Sequence, residues 1–295
     1  MALKDDVRSI LEDACFNIFE TSRGFSYDFI AKKDKQLLFI KVLSNLDAFT
    51  SEQATDLSSL SNELKSSVLL ISENSTGGKL KEGAVYARFD IPAVNIETFR
   101  HILEGEDPLV KAGRGGFYVQ IDGDRLRHIR EDSGFSLERL ARKTGVSRKT
   151  IQEYESSGSA TVKKVIHLEQ LLQDSVSKPI NVFEVKTKLI EREIPAFEKS
   201  VVQKLNVLGF DVAYAKKSPF NVVAKEEKEE VISGLTGDHL KEKATILRRV
   251  GDLLGAEPIF ILKKSRTSEI DGISVIDEKL LKKIRDLDEF LEVCK

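Results

Sequence analysis

Arg139, Arg142, Lys143, Arg148 and Lys149 place five positive charges within eleven residues, with no acid among them. Cations grouped this densely can neutralise neighbouring phosphates and release the counterions condensed on a nucleic acid. The rest of the chain has no such bias: 46 Lys and Arg stand against 48 Asp and Glu over 295 residues, a formal net charge of −2. Binding to a polyanion therefore has to be local. Other reactive side chains form no constellation. His101, His128, His167 and His239 are scattered, and Cys15 and Cys294 stand near opposite ends of the chain, none at ligand spacing. No metal and no cofactor is expected, and both thiols read as reduced. GRGG at 113–116 and STGG at 75–78 fall short of a phosphate-loop pattern and read as flexible loops.

The basic residues must be carried by short helices. In SLERLARKTGVSRKTIQEYE, residues 136–155, and the segment around it, Leu126 and Ile129, then Leu137, Leu140 and Ala141, then Val146 and Ile151, then Val165, Leu168 and Leu171 fall at helical spacing. This predicts four or five short helices around one small core. Gly134 closes the first, Ser136 and Ser147 can cap the helices that follow them, and Gly145 suits a turn that needs positive φ.

Ala141, Gly145, Val146, Ser147, Ile151 and Glu155 make this segment resemble the helix-turn-helix of the phage repressor and Cro/C1 (Xre) class. The resemblance implies that the helix after the turn enters the major groove of double-stranded DNA. By position, Ser147, Arg148, Lys149, Thr150, Gln152 and Glu153 would meet DNA there, and Arg139, Arg142 and Lys143 would lie near the backbone. It also implies a supporting ion pair between Arg130 and Glu155. One departure is Leu137, where repressors often carry a Gln that touches a phosphate.

Two punctuated stretches, EGEDPLVKAGRGG at 104–116 and QDSVSKP at 173–179, mark the limits of this segment. The flanks read alike. The first gives a helix (VRSILEDACFNIFE), two strands, a helix, a strand and a closing helix, and the last gives the same order, ending in DEKLLKKIRDLDEFLEV. YDFIAKKDKQLLFI aligns with FNVVAKEEKEEVIS, each a charged turn between two apolar strands. A duplicated α/β unit is expected. The first flank resembles the restriction-endonuclease fold, including archaeal Holliday-junction resolvases, which hold Mg²⁺ between carboxylates beside a lysine. Asp28 and Lys41 match that pattern and Glu12 could match a further acid, but Phe39 stands where the second carboxylate belongs. The last flank has Asn221, Ile232 and Gly234 at the three positions. Both copies are expected to be catalytically silent.

The expected class is α+β and multidomain: an endonuclease-like domain over 1–112, an all-α Cro/C1-type domain over 121–175 and a second endonuclease-like domain over 183–295. The whole arrangement resembles a family of archaeal transcriptional regulators, which implies a sequence-specific DNA-binding regulator without catalysis, acting as a homodimer, with flanks for dimerisation or sensing. Two rivals remain, a metal-dependent structure-selective nuclease and a protein-binding adaptor. No apolar run approaches the roughly 18 residues of a membrane span, and the acids in MALKDDVRSI break any secretion signal. The chain reads as cytoplasmic, with no membrane partner; nothing in it identifies an effector.

Overall fold

The computed structural model describes residues 2–22, 24–185, 187, 192–226, 229–235 and 239–294. The first unit runs α1 (Ala2–Asp13), β1 (Asn17–Glu20), β2 (Phe29–Lys33), β3 (Gln36–Leu43), α2 (Ser51–Leu64), β4 (Ser67–Ser72), a small hairpin β5 (Asn74–Ser75) and β6 (Gly78–Lys79), then β7 (Ala84–Arg88), β8 (Ile91–Val94) and α3 (Ile96–Leu103). The helix expected over VRSILEDACFNIFE ends early. It turns out of α1 at Cys15, whose φ is 62°, and NIFE pairs with β2 as a strand. A short apolar run satisfies either period, and tertiary pairing decides.

β2 and β3 form an antiparallel hairpin, β4 and β8 continue parallel to β3, and β7 returns antiparallel to β8. Alternation along the strands sends Phe29, Ala31, Leu38 and Ile40 to the face covered by α1 and α3, and Ile30 and Phe39 to the face covered by α2. Both faces are buried, which is why QLLFIKVL is nearly continuous in apolar residues. A capping box opens α2: Thr50 Oγ1 accepts from the Gln53 N–H at 3.3 Å and Gln53 Oε1 from the Thr50 N–H at 3.0 Å.

The sheet continues into the middle of the chain. β9 (Val110–Gly113) lies parallel to β7, β10 (Gly116–Gln120) folds back on β9, and β11 (Ser159–Thr161) pairs with β10. The order β1-β2-β3-β4-β8-β7-β9-β10-β11 makes one nine-stranded sheet. The stretch 104–116 therefore carries sheet strands. GRGG is a hairpin turn, with Gly115 and Gly116 at φ of 84° and 147°, and STGG closes the β5–β6 hairpin; neither is a free loop. The central module is four helices, α4 (Gly123–Asp132), α5 (Leu137–Thr144), α6 (Arg148–Ser157) and α7 (Val162–Leu172), seated on β10 and β11, rather than helix throughout. Val119 and Ala160 from the strands, with Ile121 just past β10, share a core with Leu126, Leu140, Ile151 and Leu168. Residues 173–179 are tied down too: Glu169 Oε1 accepts from the Val176 and Ser177 N–H groups at 2.9 and 3.0 Å, and the Lys178 N–H reaches Gln120 O at 2.8 Å.

The last unit runs α8 (Ala196–Val207), β12 (Asp211–Tyr214), β13 (Val222–Glu226), β14 (Glu229–Gly234), α9 (Leu240–Leu254), β15 (Glu257–Leu262), β16 (Glu269–Ile270), β17 (Ile273–Asp277), α10 (Glu278–Lys283) and α11 (Leu287–Cys294). Residues 227 and 228, in the charged turn expected between β13 and β14, lie outside the described residues. The sheet order β12-β13-β14-β15-β17-β16 has the strand directions of β1-β2-β3-β4-β8-β7. The single closing helix expected from DEKLLKKIRDLDEFLEV is two, broken at Ile284 (φ −55°, ψ 128°).

The two units share one core, with α2 against β12 and β13 and α9 against β1. Asp56, fully buried, sits at this seam. It accepts from Ser26 Oγ at 2.6 Å and from the Lys216 and Lys217 N–H groups at 2.8 and 2.9 Å, and pairs with Arg192. Glu52 takes the Lys216 and Lys217 ammonium groups at 3.0 and 2.7 Å. These faces of the two units are turned on each other within one chain.

Candidate nucleic-acid interface

α5 and α6 are set by their ends. Ser136 Oγ accepts from the Arg139 N–H at 3.2 Å and Ser147 Oγ from the Thr150 N–H at 3.0 Å. Between them Gly145 takes φ 69°, and the Val146 N–H closes on Ala141 O at 3.0 Å. α6 then turns Ile151, Tyr154 and Glu155 inward, leaving Arg148, Lys149, Gln152 and Glu153 exposed on the opposite face. Thr150 is half-buried at the edge, and Ser147, Arg139, Arg142 and Lys143 are exposed. The expected reading face is thus brought together on one surface.

Arg130 and Glu155 hold α4 to α6. Arg130 Nε donates to Glu155 Oε1 at 2.5 Å and Nη2 to Oε2 at 3.3 Å, while Nη1 reaches Phe135 O at 3.0 Å. The hydrogen bond to Glu155 raises the Arg130 pKa above its ordinary value, against the opposing effect of burial. The helices approach closely because residue 123 is glycine: a Cβ there would stand 2.3 Å from Glu155 O. Nothing in the linear pattern marks Gly123, whose constraint is tertiary.

The basic face also holds contacts the sequence reading did not include. Arg148 Nη1 meets Glu138 Oε1 at 2.9 Å across the turn, so the run without acids in sequence has an acid beside it in space. Lys149, its side chain 85% exposed, lies 3.9 Å from Glu153. Arg139 and Lys143 lie over the Phe135 ring, at 5.0 and 5.9 Å from its centroid, which orients two cations along the rim of the module.

The nuclease-like positions tell a different story. Asp28, 3% exposed, enters β2 with Oδ2 accepting the Val42 N–H at 2.8 Å and facing Lys41 Nζ at 3.3 Å, while Oδ1 pairs with Lys4 Nζ. Burial lowers the Lys41 pKa from its ordinary value, and Asp28 opposes that shift. The residue α1 turns toward Asp28 is therefore the cation Lys4. Glu12 is exposed at the far end of the helix, about 12 Å further along by helical rise; the expectation that it could join this site is corrected. Phe39 is fully buried edge-on to Tyr27, with centroids 4.9 Å apart. A cleft of about 600 Å³ opens beside the group, lined by Leu3, Lys4, Glu20, Thr21, Val42 and Ser44 among others.

Asn221 repeats the backbone part of Asp28. Its Oδ1 accepts the Leu235 N–H at 3.1 Å, and its own N–H reaches Ser233 O at 2.8 Å, as the Asp28 N–H reaches Ile40 O at 2.8 Å. These bonds set Ile232 and Gly234 opposite Phe39 and Lys41. What both units keep is a side-chain brace on the next strand, which an amide performs as well as a carboxylate.

A PD-(D/E)XK superfamily domain model matches residues 1–108, and a helix-turn-helix domain model matches residues 123–172. A relative from Pyrococcus furiosus, provisionally named an HTH-type transcriptional regulatory protein, is 39% identical across 99% of this chain and 98% of its own length. Relatives with the same provisional name from Pyrococcus horikoshii and Methanocaldococcus jannaschii are 38% and 33% identical, across 92% and 98% of this chain and 90% and 97% of their own. No solved structure matches.

Proposed function

The chain belongs to the family of archaeal HTH-type transcriptional regulatory proteins, and on that premise we propose that it is a sequence-specific DNA-binding regulator that reads the major groove with α6. The observation that carries this reading is the shared exposure of Arg148, Lys149, Gln152 and Glu153 on a helix whose opposite side is locked into a core. Arg148 and Lys149 can donate to guanine O6 and N7, and Glu153 can accept from a cytosine amine. Arg139, Arg142 and Lys143 supply phosphate contacts that position the helix without reading sequence. The testing experiment is binding of the full chain to selected duplexes, with Arg148→Ala and Lys149→Ala expected to remove specific affinity.

One module makes few base contacts, so the active form is a homodimer that doubles them, with half-sites about 34 Å apart or a multiple of that. The dimer contact lies away from the seam between the two α/β units, whose faces are already joined. The modules are an endonuclease-like domain over 1–112, the helix-turn-helix domain over 121–175 and a second endonuclease-like domain over 183–295. The six-strand order that the last unit's sheet has in common with the first unit favours a duplication, and the matched Asp28 and Asn221 braces support it.

Both endonuclease-like units are non-catalytic in this reading. Lys4 and Lys41 already neutralise Asp28, and the buried Phe39 ring offers no oxygen to a hard cation. The PD-(D/E)XK match favours a second reading, a metal-dependent nuclease, which cleavage abolished by Asp28→Ala would establish. The cleft beside Lys4 supports a sensing role for the first unit.

A further inference from the structure

The two units differ at one matched place, the crevice beyond the carboxyl ends of their parallel strands. The register of β3 with β4 and of β14 with β15 sets Leu70 opposite Phe260, and the pairings onto β8 and β17 set Ala93 opposite Val275. Counting on along each strand, Glu73 matches Lys263 and Asn95 matches Asp277. The second match is independently supported, because each residue caps the helix after it: Asn95 Oδ1 accepts the Thr98 N–H at 2.9 Å and Asp277 Oδ1 the Leu280 N–H at 2.8 Å.

In the first unit the crevice is bridged from within. The Glu73 carboxylate crosses it to accept the Ile96 N–H at 2.9 Å. In the last unit the matched residue is Lys263, of opposite charge, and a crevice of about 650 Å³ stands open between the strand ends. Lys263, Lys264, Arg266, Lys279 and Lys282 line it with Ser265, Asp277 and Glu278. Both acids are engaged, Asp277 by its cap and Glu278 by Lys282 Nζ at 2.6 Å. Among the described residues, Lys263, Lys264, Arg266 and Lys279 make no ion pair or side-chain hydrogen bond. These four cations, of which Lys263 acts on Glu278 only at longer range, outnumber the acids around one concavity at the carboxyl ends of parallel strands, a location that favours ligands in open α/β sheets.

We propose that the crevice between the ends of β15 and β17 is a binding site for a phosphate-bearing anion, gripped by Lys263, Lys264, Arg266 and Lys279. The planar Arg266 fork can bind two phosphate oxygens at once, and the lysines act as point charges around it. Phosphate can come from a free phosphorylated molecule of nucleotide size or from the backbone of bound DNA. The site does not depend on how α6 reads DNA.

Titration calorimetry of the full-length chain at low salt, with inorganic pyrophosphate and separately with ATP, tests for the free ligand. Saturable binding is expected, weakened at least about tenfold in Lys263→Glu and in Arg266→Ala through loss of charge-assisted contacts. All these side chains are exposed, so the unliganded variants should melt with wild type. A second arm measures the salt dependence of duplex binding in the Lys263→Glu, Arg266→Ala double variant. A slope lower by about two phosphate contacts identifies DNA as the source, and an unchanged slope with pyrophosphate binding identifies a free ligand. Binding of pyrophosphate or ATP that both single variants leave untouched, or no such binding together with an unchanged slope, overturns the site.

Discussion

Arg130 and Glu155 join α4 to α6 through a two-pronged ion pair in which the residues are only 8% and 6% exposed. Truncating either one leaves its partner only a more exposed counter-charge, Arg127 at 3.5 Å from Glu155 or Glu131 at 3.0 Å from Arg130, so the cost approaches but stays below the roughly 3–5 kcal/mol of a fully unpaired buried charge. Arg130→Ala and Glu155→Ala should therefore speed amide hydrogen exchange throughout α4, α5 and α6 and leave the six-stranded sheet protected. Replacing both by apolar residues of similar volume should cost much less than either single change. Equal protection of α6 in Glu155→Ala and wild type would remove the pair from its supporting role.

Glu138 draws Arg148 across the turn at 2.9 Å, and in the DNA complex it would face the phosphates that α5 approaches. Glu138→Gln frees Arg148 and removes a repelling charge. Affinity for duplex DNA should rise several-fold at low salt and converge with wild type as screening shortens the reach of surface charge. Weaker binding by this variant, measured by fluorescence anisotropy across a salt series, would show that Glu138 positions Arg148 instead.

The seam between the α/β units should respond to acid through Glu52. Hydrogen bonds from Lys217 and Lys216 lower its pKa from an ordinary 4.5 to about 2. A carboxylate depressed in the folded state contributes stability above its unfolded pKa and loses it as pH falls through the folded value. Glu52→Gln should therefore be less stable than wild type above about pH 4.5, and the difference should shrink to nothing near pH 2. Thermal melts across that range check the sign; a deficit that grows toward acid would contradict it.

Asp28 should support no cleavage. Duplex, single-stranded and four-way-junction DNA incubated with Mg²⁺ or Mn²⁺ are expected to stay intact, because Lys4 and Lys41 occupy the carboxylate's charge and Phe39 supplies no ligand. Asp28→Asn should keep the Val42 brace, since Asn221 holds Leu235 in the same way. Metal-dependent cleavage lost in Asp28→Ala would make the first unit an enzyme.

What the sequence made legible follows from how local each signal is. The caps at Ser136 and Ser147, the positive φ of Gly145 and the inward set Leu126, Leu140 and Ile151 are written in spacing within a turn or two of helix, and the structure carries them as read. The Arg130–Glu155 pair came through resemblance, and its geometry matches. NIFE, AVYAR, IPAV and ISVID were hidden, because runs of four or five residues with only a few apolar positions become strands only when a neighbour supplies the ladder. The polar stretch 104–116 looked like a linker for a similar reason: β9 is an exposed strand with little to bury, recruited by β7. Lys4 was missed because its meaning depends on which face α1 turns to Asp28, and Glu138 because its partner lies across a turn.

The central claim is that α6 reads DNA sequence, and selection of duplexes from a random pool by the purified full-length chain tests it most directly. Wild type should enrich a defined motif, repeated with two-fold symmetry if the homodimer reads both half-sites. The Arg148→Ala, Lys149→Ala double variant should fold normally, retain weak salt-sensitive binding and lose the motif. Failure of the wild type to enrich any motif, or recovery of the same motif by the double variant, would contradict the account.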